Sequence, residues 1–203
     1  MNEFRKKMAA LCVLGVGLLL PLVGRAQEAG GVPVYQITPL NSTVKFGVKA
    51  SVPIVGTFDK WDATLVFTST DLATGVLDIE IQADSVNTGS GLKNGKLKSK
   101  DFFDVEHAPL ITFKSTKIIQ TGTNTFEVDG KFTIRGVSRD EKLELTLSGR
   151  GTADLQIAGS MAFDRKEYGM NSGIPFIKIA DRVEVNVALK VKRTSGPPVT
   201  LKN

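Results

Sequence analysis

The side chains able to do chemistry are few and gather in two places. Asp101, Asp104, Glu106 and His107 put four oxygen or nitrogen donors within seven residues, around the doublet Phe102-Phe103. Lys93, Lys96, Lys98 and Lys100 run just ahead of them, and Arg165, Lys166 and Lys178 form a second basic group further along. The acidic set invites a metal ion. However, His107 is the sole histidine and the acids lack calcium-loop spacing. No metal is expected there, and His107 reads as a surface residue ahead of Pro109. The two basic groups would suit a phosphate or pyrophosphate if the fold brought them to one place; otherwise they are solvated faces.

Other chemistry is excluded by composition. Cys12 is the only cysteine, and it lies in the apolar run near the start of the chain. With that run removed, disulfides, thiolate metal sites and cysteine nucleophiles are all ruled out. No triad is recognisable, so no catalytic residue is expected, and acid–base work would fall to unmarked carboxylates or lysines. Gly89-Ser90-Gly91 to Gly95 misses the dinucleotide pattern, because Asn94 stands where the third glycine belongs. Asn41-Ser42-Thr43 is a formal glycosylation acceptor that reads more simply as a turn.

The elements that must position these residues are strands. Period-two alternation dominates from Tyr35 onward. Val44, Phe46 and Val48 form one buried row, and Phe58, Ala63, Leu65 and Phe67 a second. Leu77, Ile79 and Ile81 form a third, and a fourth strand runs from about Leu110 to Ile119. Phe126, Val128, Phe132 and Ile134 keep one parity through Asp129-Gly130. That spacing predicts one uninterrupted strand with Gly130 as a bulge or close-approach site, and a turn at Arg135-Gly136. Leu143, Leu145 and Leu147 follow, then Leu155, Ile157, Met161 and Phe163, and last Val183 to Val191. Eight ribbons, each apolar on one face, pack as a sandwich or close into a barrel, and closure removes the edges. The expected fold is all-β: an eight-stranded antiparallel up-and-down barrel. Residues 85–109 form a loop insertion between strands three and four, with a short helix over Leu92 to Leu97.

The ends of the chain carry other signals. Arg5, Lys6 and Lys7, an apolar run from Met8 to Val23, and Gly24-Arg25-Ala26 have the form of a secretory signal peptide cut after Ala26. Residues 27–34 form a leader, 35–193 the domain, and 194–203 a disordered tail. Of the 26 Lys and Arg, four leave with the signal (Arg5, Lys6, Lys7 and Arg25), as does Glu3 of the 21 acids. The mature balance is then 22 against 20, or +2, and nucleic acid is not implied as a partner. A periplasmic or secreted location is expected, without stable membrane insertion.

Several blocks, taken in order, resemble a known family. They are Ser42-Thr43-Val44-Lys45-Phe46, Val55-Gly56-Thr57-Phe58, Asp84-Ser85-Val86-Asn87-Thr88-Gly89 and Leu97-Lys98-Ser99-Lys100-Asp101-Phe102-Phe103-Asp104. Gly130-Lys131-Phe132-Thr133-Ile134-Arg135-Gly136 and Asp164-Arg165-Lys166-Glu167-Tyr168-Gly169-Met170 complete the set. Together they resemble the YceI-like family of exported, polyisoprenoid-binding, lipocalin-like barrels. The resemblance implies a lipocalin-like barrel that holds an isoprenoid lipid or quinone and needs no cofactor. The chain departs from the family at Lys49-Ala50, where a histidine is usual, and at Lys93-Asn94-Gly95-Lys96-Leu97.

On that resemblance, the expected lining of a lipid tube is Phe46, Phe58, Phe113, Phe132 and Met161, together with Phe163, Val185 and Leu189. Tyr168 and Phe176 would stand at its mouth, and Lys93, Lys96 and Arg165 would meet a head group. Phe102 and Phe103 read as plugs packed against the barrel end. From the residues alone, the same inward rows fill a solid core equally well. The expected function is non-catalytic carriage of an isoprenoid-type lipid. The alternatives are a solid structural or stress-response barrel, an enzyme acting on such a lipid, and an outer-membrane barrel. The last is disfavoured by the single Trp61 and the sparse tyrosines.

Overall fold

A computed structural model describes residues 31–173 and 177–202. The expected signal peptide, the start of the leader and Phe176 lie outside the described residues. Ten strands are assigned: β1 (Val34–Ala50), β2 (Ile54–Phe58), β3 (Trp61–Val66), β4 (Val76–Gln82), β5 (Val86–Asn87), β6 (Leu110–Gln120), β7 (Thr125–Ile134), β8 (Val137–Ser148), β9 (Asp154–Asp164) and β10 (Ile179–Ser195). One helix, α1 (Gly91–Lys98), lies in the expected insertion. Ser90 caps it by accepting from the Lys93 amide.

The ten strands make eight ribbons. β3 pairs with β4 and β2 with β5, so β2–β3 and β4–β5 are each one ribbon bent in the middle. Every ladder is antiparallel, and β10 returns to pair with β1 from Tyr35↔Arg193 to Val48↔Val183. The sheet is therefore a closed, lipocalin-like barrel, in which the two-residue β5 pairs on one side only, with β2.

Four ribbons run straight and four are broken. In β7, β8, β9 and β10 one parity faces inward throughout, as in Val183, Val187, Leu189 and Val191. In β1 the buried positions switch from Ile37 to Val44 and Phe46, across a kink where Asn41 takes φ 62°. β2–β3 switches between Phe58 and Ala63, and β4–β5 between Ala83 and Val86. β6 switches from Ile111 and Phe113 to Ile118, across a register shift between Ser115 and Lys117. A one-residue slip exchanges the two faces of a strand, so each switch marks an inserted bulge or bend. The bends of the second and third ribbons lie against each other: Asp59 donates to Ser85 O, and Gln82 to Lys60 O. These bends curve one side of the wall.

β7 runs unbroken through Gly130, as its parity predicts. A Cβ on Gly130 would lie 2.6 Å from Phe113 Cζ and 2.8 Å from Lys114 O, so the position serves close approach. The extra residue sits opposite, in β6. Arg135 and Gly136, with φ 55° and 73°, make the expected hairpin turn.

The two ends of the domain differ from the sequence expectation. Pro33 and Val34, placed in the leader, already belong to the barrel: Pro33 is buried and Val34 begins β1. Residues 194–202 are not a loose tail. β10 continues to Ser195, and 196–202 cross the barrel end as a strap, because the loops beneath them offer partners. Thr200 N–H donates to Thr70 O at 2.7 Å. Lys202 N–H donates to Gln120 Oε1 at 2.7 Å, and Gln120 Nε2 donates back to Lys202 O at 2.8 Å. No helix among the described residues is long and apolar enough to cross a membrane.

Candidate functional site

The barrel interior has two unlike halves. The half nearer α1 is packed with rings. Phe46, Phe58 and Phe103 form one cluster with centroids 5.5 to 6.2 Å apart. Phe132, Phe163 and Tyr168 form another at 5.1 to 5.5 Å. Tilted and edge-on rings at such distances fill space and attract one another. Only about 60 Å³ of void remains there, bordered also by Leu97, Phe102 and Met170. The opposite half is lined by aliphatic chains: Leu65, Leu77, Ile118, Leu143, Leu145, Leu155, Ile157, Leu189 and Val191, with Tyr35 and Phe67. With Phe126 it borders a partly open cavity of about 340 Å³, within the range of sites that hold a small molecule. Arg150, Thr152 and Arg193 give it a polar rim, and Pro198, Val199 and Leu201 of the strap complete its wall.

The plugged end is locked by polar groups. Arg165 is 6% exposed, and its guanidinium donates to Ala180 O at 3.1 Å, to Ser172 O at 3.2 Å and to Met170 O. It also meets Asp181 Oδ1 at 3.2 Å, and Lys166 Nζ lies 2.9 Å from the other oxygen of that carboxylate. The hydrogen bond from Lys166, aided by both charges, holds the Asp181 carboxyl below its ordinary range. Tyr168 is fully buried and donates to Glu141 at 2.8 Å. Burial first, then that bond, pushes its phenol far above the usual value, so it stays protonated. Arg135 ties the two long connections together, donating to Lys100 O at 2.9 Å and to Gly169 O.

The residues expected to line a tube are therefore divided. Phe46, Phe58, Phe132, Phe163 and Val185 border the small void, Tyr168 sits in the plug, and Leu189 alone reaches the large cavity. Phe113 and Met161 are buried but border neither space. Phe102 and Phe103 are buried plugs, at 4% and 7% exposure, as their sequence suggests. The two basic segments do meet at one barrel end, but that end is the closed one. Arg165 has its donors committed to the fold. Lys96 pairs with Asp101 at 2.6 Å, holding that carboxyl below its usual range, and Lys93 is exposed. His107 is exposed and hydrogen-bonds Asp104 at 2.9 Å, which raises the pKa of its ring.

The cavity-lining aliphatic residues stand in the inward rows but carry no mark of their own. The signal that separates them is bulk along each ribbon. An eight-stranded barrel is just wide enough for side chains to fill. Where two clusters of three rings meet across the middle little space is left, and where most inward residues are leucine, isoleucine or valine a hollow remains.

Comparison with known proteins fits this architecture. Residues 35–191 match the YceI-like domain. The chain belongs to the YceI-like family. Among YceI-like relatives, a UPF0312 protein of Pseudomonas syringae pv. tomato is 33% identical over 98 residues, which are 48% of this chain and 51% of that one. The chain thus spans about half the length of such curated relatives. A UPF0312 protein of Shewanella denitrificans is 23% identical over 172 residues, 81% of this chain and 88% of that protein. BcnA of Burkholderia cenocepacia superimposes with a TM-score of 0.69 at 26% identity, over 76% of this chain and 99% of BcnA. A polyisoprenoid binding domain from Saccharophagus degradans gives a TM-score of 0.62 at 16% identity, over 79% and 99%, a likeness of fold alone.

Proposed function

We propose that this YceI-like protein binds an isoprenoid-type lipid, alcohol or quinone, in the aliphatic half of its barrel and carries it without catalysis. The observation that bears most of this reading is the lining of the cavity. About 340 Å³ is lined mainly by leucine, isoleucine and valine side chains with the rings of Tyr35, Phe67 and Phe126, and Arg150, Thr152 and Arg193 are its charged or hydroxyl-bearing neighbours. Moving a hydrocarbon chain from water into such a space gains roughly 0.8 kcal/mol per CH2, with no directional contact required. The polyisoprenoid binding domain of the same fold supports the choice of lipid class.

Nothing in the lining invites turnover. The buried Tyr168 stays protonated and lies in the plug rather than the hollow, and His107 is on the outside. We place the carrier in the periplasm, on the form of residues 1–26, where a water-filled compartment makes a shielded lipid useful.

The test is direct. Protein purified without detergent is extracted with organic solvent and the extract examined by mass spectrometry. The stripped protein is then offered an isoprenoid quinone and a prenyl alcohol. A prenyl lipid in the extract, or saturable uptake at one per chain, is the expected result. An empty extract together with no uptake would end the proposal.

A further inference from the structure

The wall of the hollow is not all barrel. Pro198, Val199 and Leu201 of the strap line the cavity on the side away from the plug. The strap's course is set at Gly196, which takes φ 72°, and a Cβ there would fall 2.1 Å from Val32 O. Only glycine fits so tight a left-handed turn. Pro197-Pro198 then stiffens the segment that follows.

What holds the strap down is polar and mostly at the surface. Thr200 makes a parallel bridge to Asp71. Gln120 grips Lys202 through both its amide and its carbonyl, and Arg150 Nη2 reaches the same carbonyl at 3.4 Å. Val199 N–H donates to Tyr35 Oη at 3.3 Å. Exposed hydrogen bonds exchange readily with water and each adds little net stability. A segment fixed by a few of them opens locally at far less cost than the global fold. The plug, with seven rings and a buried guanidinium, has no such freedom.

Volume gives the strap a second role. The cavity of about 340 Å³ lies at the small end of the range for drug-sized ligands, too little for a long prenyl chain. A longer chain must leave by one end, and the plugged end is closed.

We propose that residues 196–202 are the door and the length stop of the cavity. Seated, the strap confines the guest to a short prenyl or acyl chain; displaced, it admits a long chain whose remainder projects past Arg150 and Arg193. This rests on the lipid-carrier reading above and adds to it the end used and the element that sets chain length.

The chain past the signal has no cysteine, so a pair introduced as Asp71→Cys and Thr200→Cys can form one defined disulfide. Partners in a β-bridge lie within the spacing that such a bond requires. Oxidised and reduced forms of this one variant are compared with a chain ended after Ser195. The probes are N-phenyl-1-naphthylamine, a ten-carbon prenyl alcohol and a forty-carbon prenyl alcohol. Expected are at least tenfold slower uptake of the two small probes by the oxidised form, loss of forty-carbon binding, and recovery of both on reduction. The shortened chain should take up all three at least tenfold faster. Equal uptake of the naphthylamine and the long alcohol by oxidised and reduced forms would overturn the door, even if lipid binding itself stands. Gated naphthylamine uptake with no alcohol bound by any form would sustain the door and sink the isoprenoid reading.

Discussion

The two halves of the interior are built by the same eight ribbons and differ in what those ribbons point inward. Toward α1 the inward rows are Phe46, Phe58, Phe132 and Phe163, and the space closes to about 60 Å³. Toward the strap they are mostly aliphatic, with Tyr35, Phe67 and Phe126 among them, and about 340 Å³ stays open. One barrel thus serves as solid core at one end and as container at the other, according to which side chains point inward. On the proposed reading, stability and binding belong to opposite ends, and perturbing one should spare the other.

The sharpest way to break that division is to hollow the plug. Phe132→Ala should cost about 3–5 kcal/mol, the usual penalty for emptying a ring-sized space in a packed core, read as a fall in urea midpoint. Lipid uptake measured well below that midpoint should persist. Arg165→Lys comes next. It keeps the charge but leaves backbone carbonyls of the plug without their donors, a loss of roughly 1.5–3 kcal/mol. If affinity for a phosphorylated prenyl lipid falls while the urea midpoint holds, Arg165 is a head-group residue after all, and the clip described here is wrong.

Filling the hollow probes the other half. Leu65→Phe adds bulk beside existing space, so the stability change should stay below about 1.5 kcal/mol, while lipid uptake drops at least tenfold. Smallest is the effect of pH on the plug. Asp181 is depressed by Lys166 and Arg165, so its contribution is complete above the ordinary carboxyl range and fades as pH falls through its lowered folded value. Asp181→Asn should remove that acid-limb component and leave the neutral-pH cavity unchanged. A carboxyl titration followed by NMR that gives Asp181 an ordinary value would contradict it.

Much of this fold was legible in the residues. Alternation gave the ribbons, the unbroken parity around Gly130 gave β7, and Arg135-Gly136 gave its turn. The family blocks pointed to a closed barrel. The division of the interior was harder to read, because a row of leucines and a row of phenylalanines share one hydropathy pattern. Aromatic residues suggest ligand contact, yet in a barrel this narrow they are what excludes a ligand. The strap escaped notice for a related reason. Pro197-Pro198 and the polar residues around it look like a tail, and the side chains of Gln120, 82 positions away along the chain, and Arg150, 52 positions away, give Lys202 its anchor. The parity switches at Ile37/Val44 and Phe113/Ile118 were present in the sequence and mark where the wall bends.

The ladder between β1 and β10 has a further consequence, for the order in which the molecule is assembled. It joins Tyr35 to Arg193 and Val48 to Val183, partners at opposite ends of the domain. Hairpins such as β7–β8 can form from neighbours, but this seam has to wait until nearly the whole chain is ordered, and distant pairings of that kind slow folding. Gly196 turns directly over Val32 and Pro33, next to the Val34↔Ser195 pair, so the seat of the strap is built by the last rung of that seam and shares its dependence on the two ends of the domain meeting.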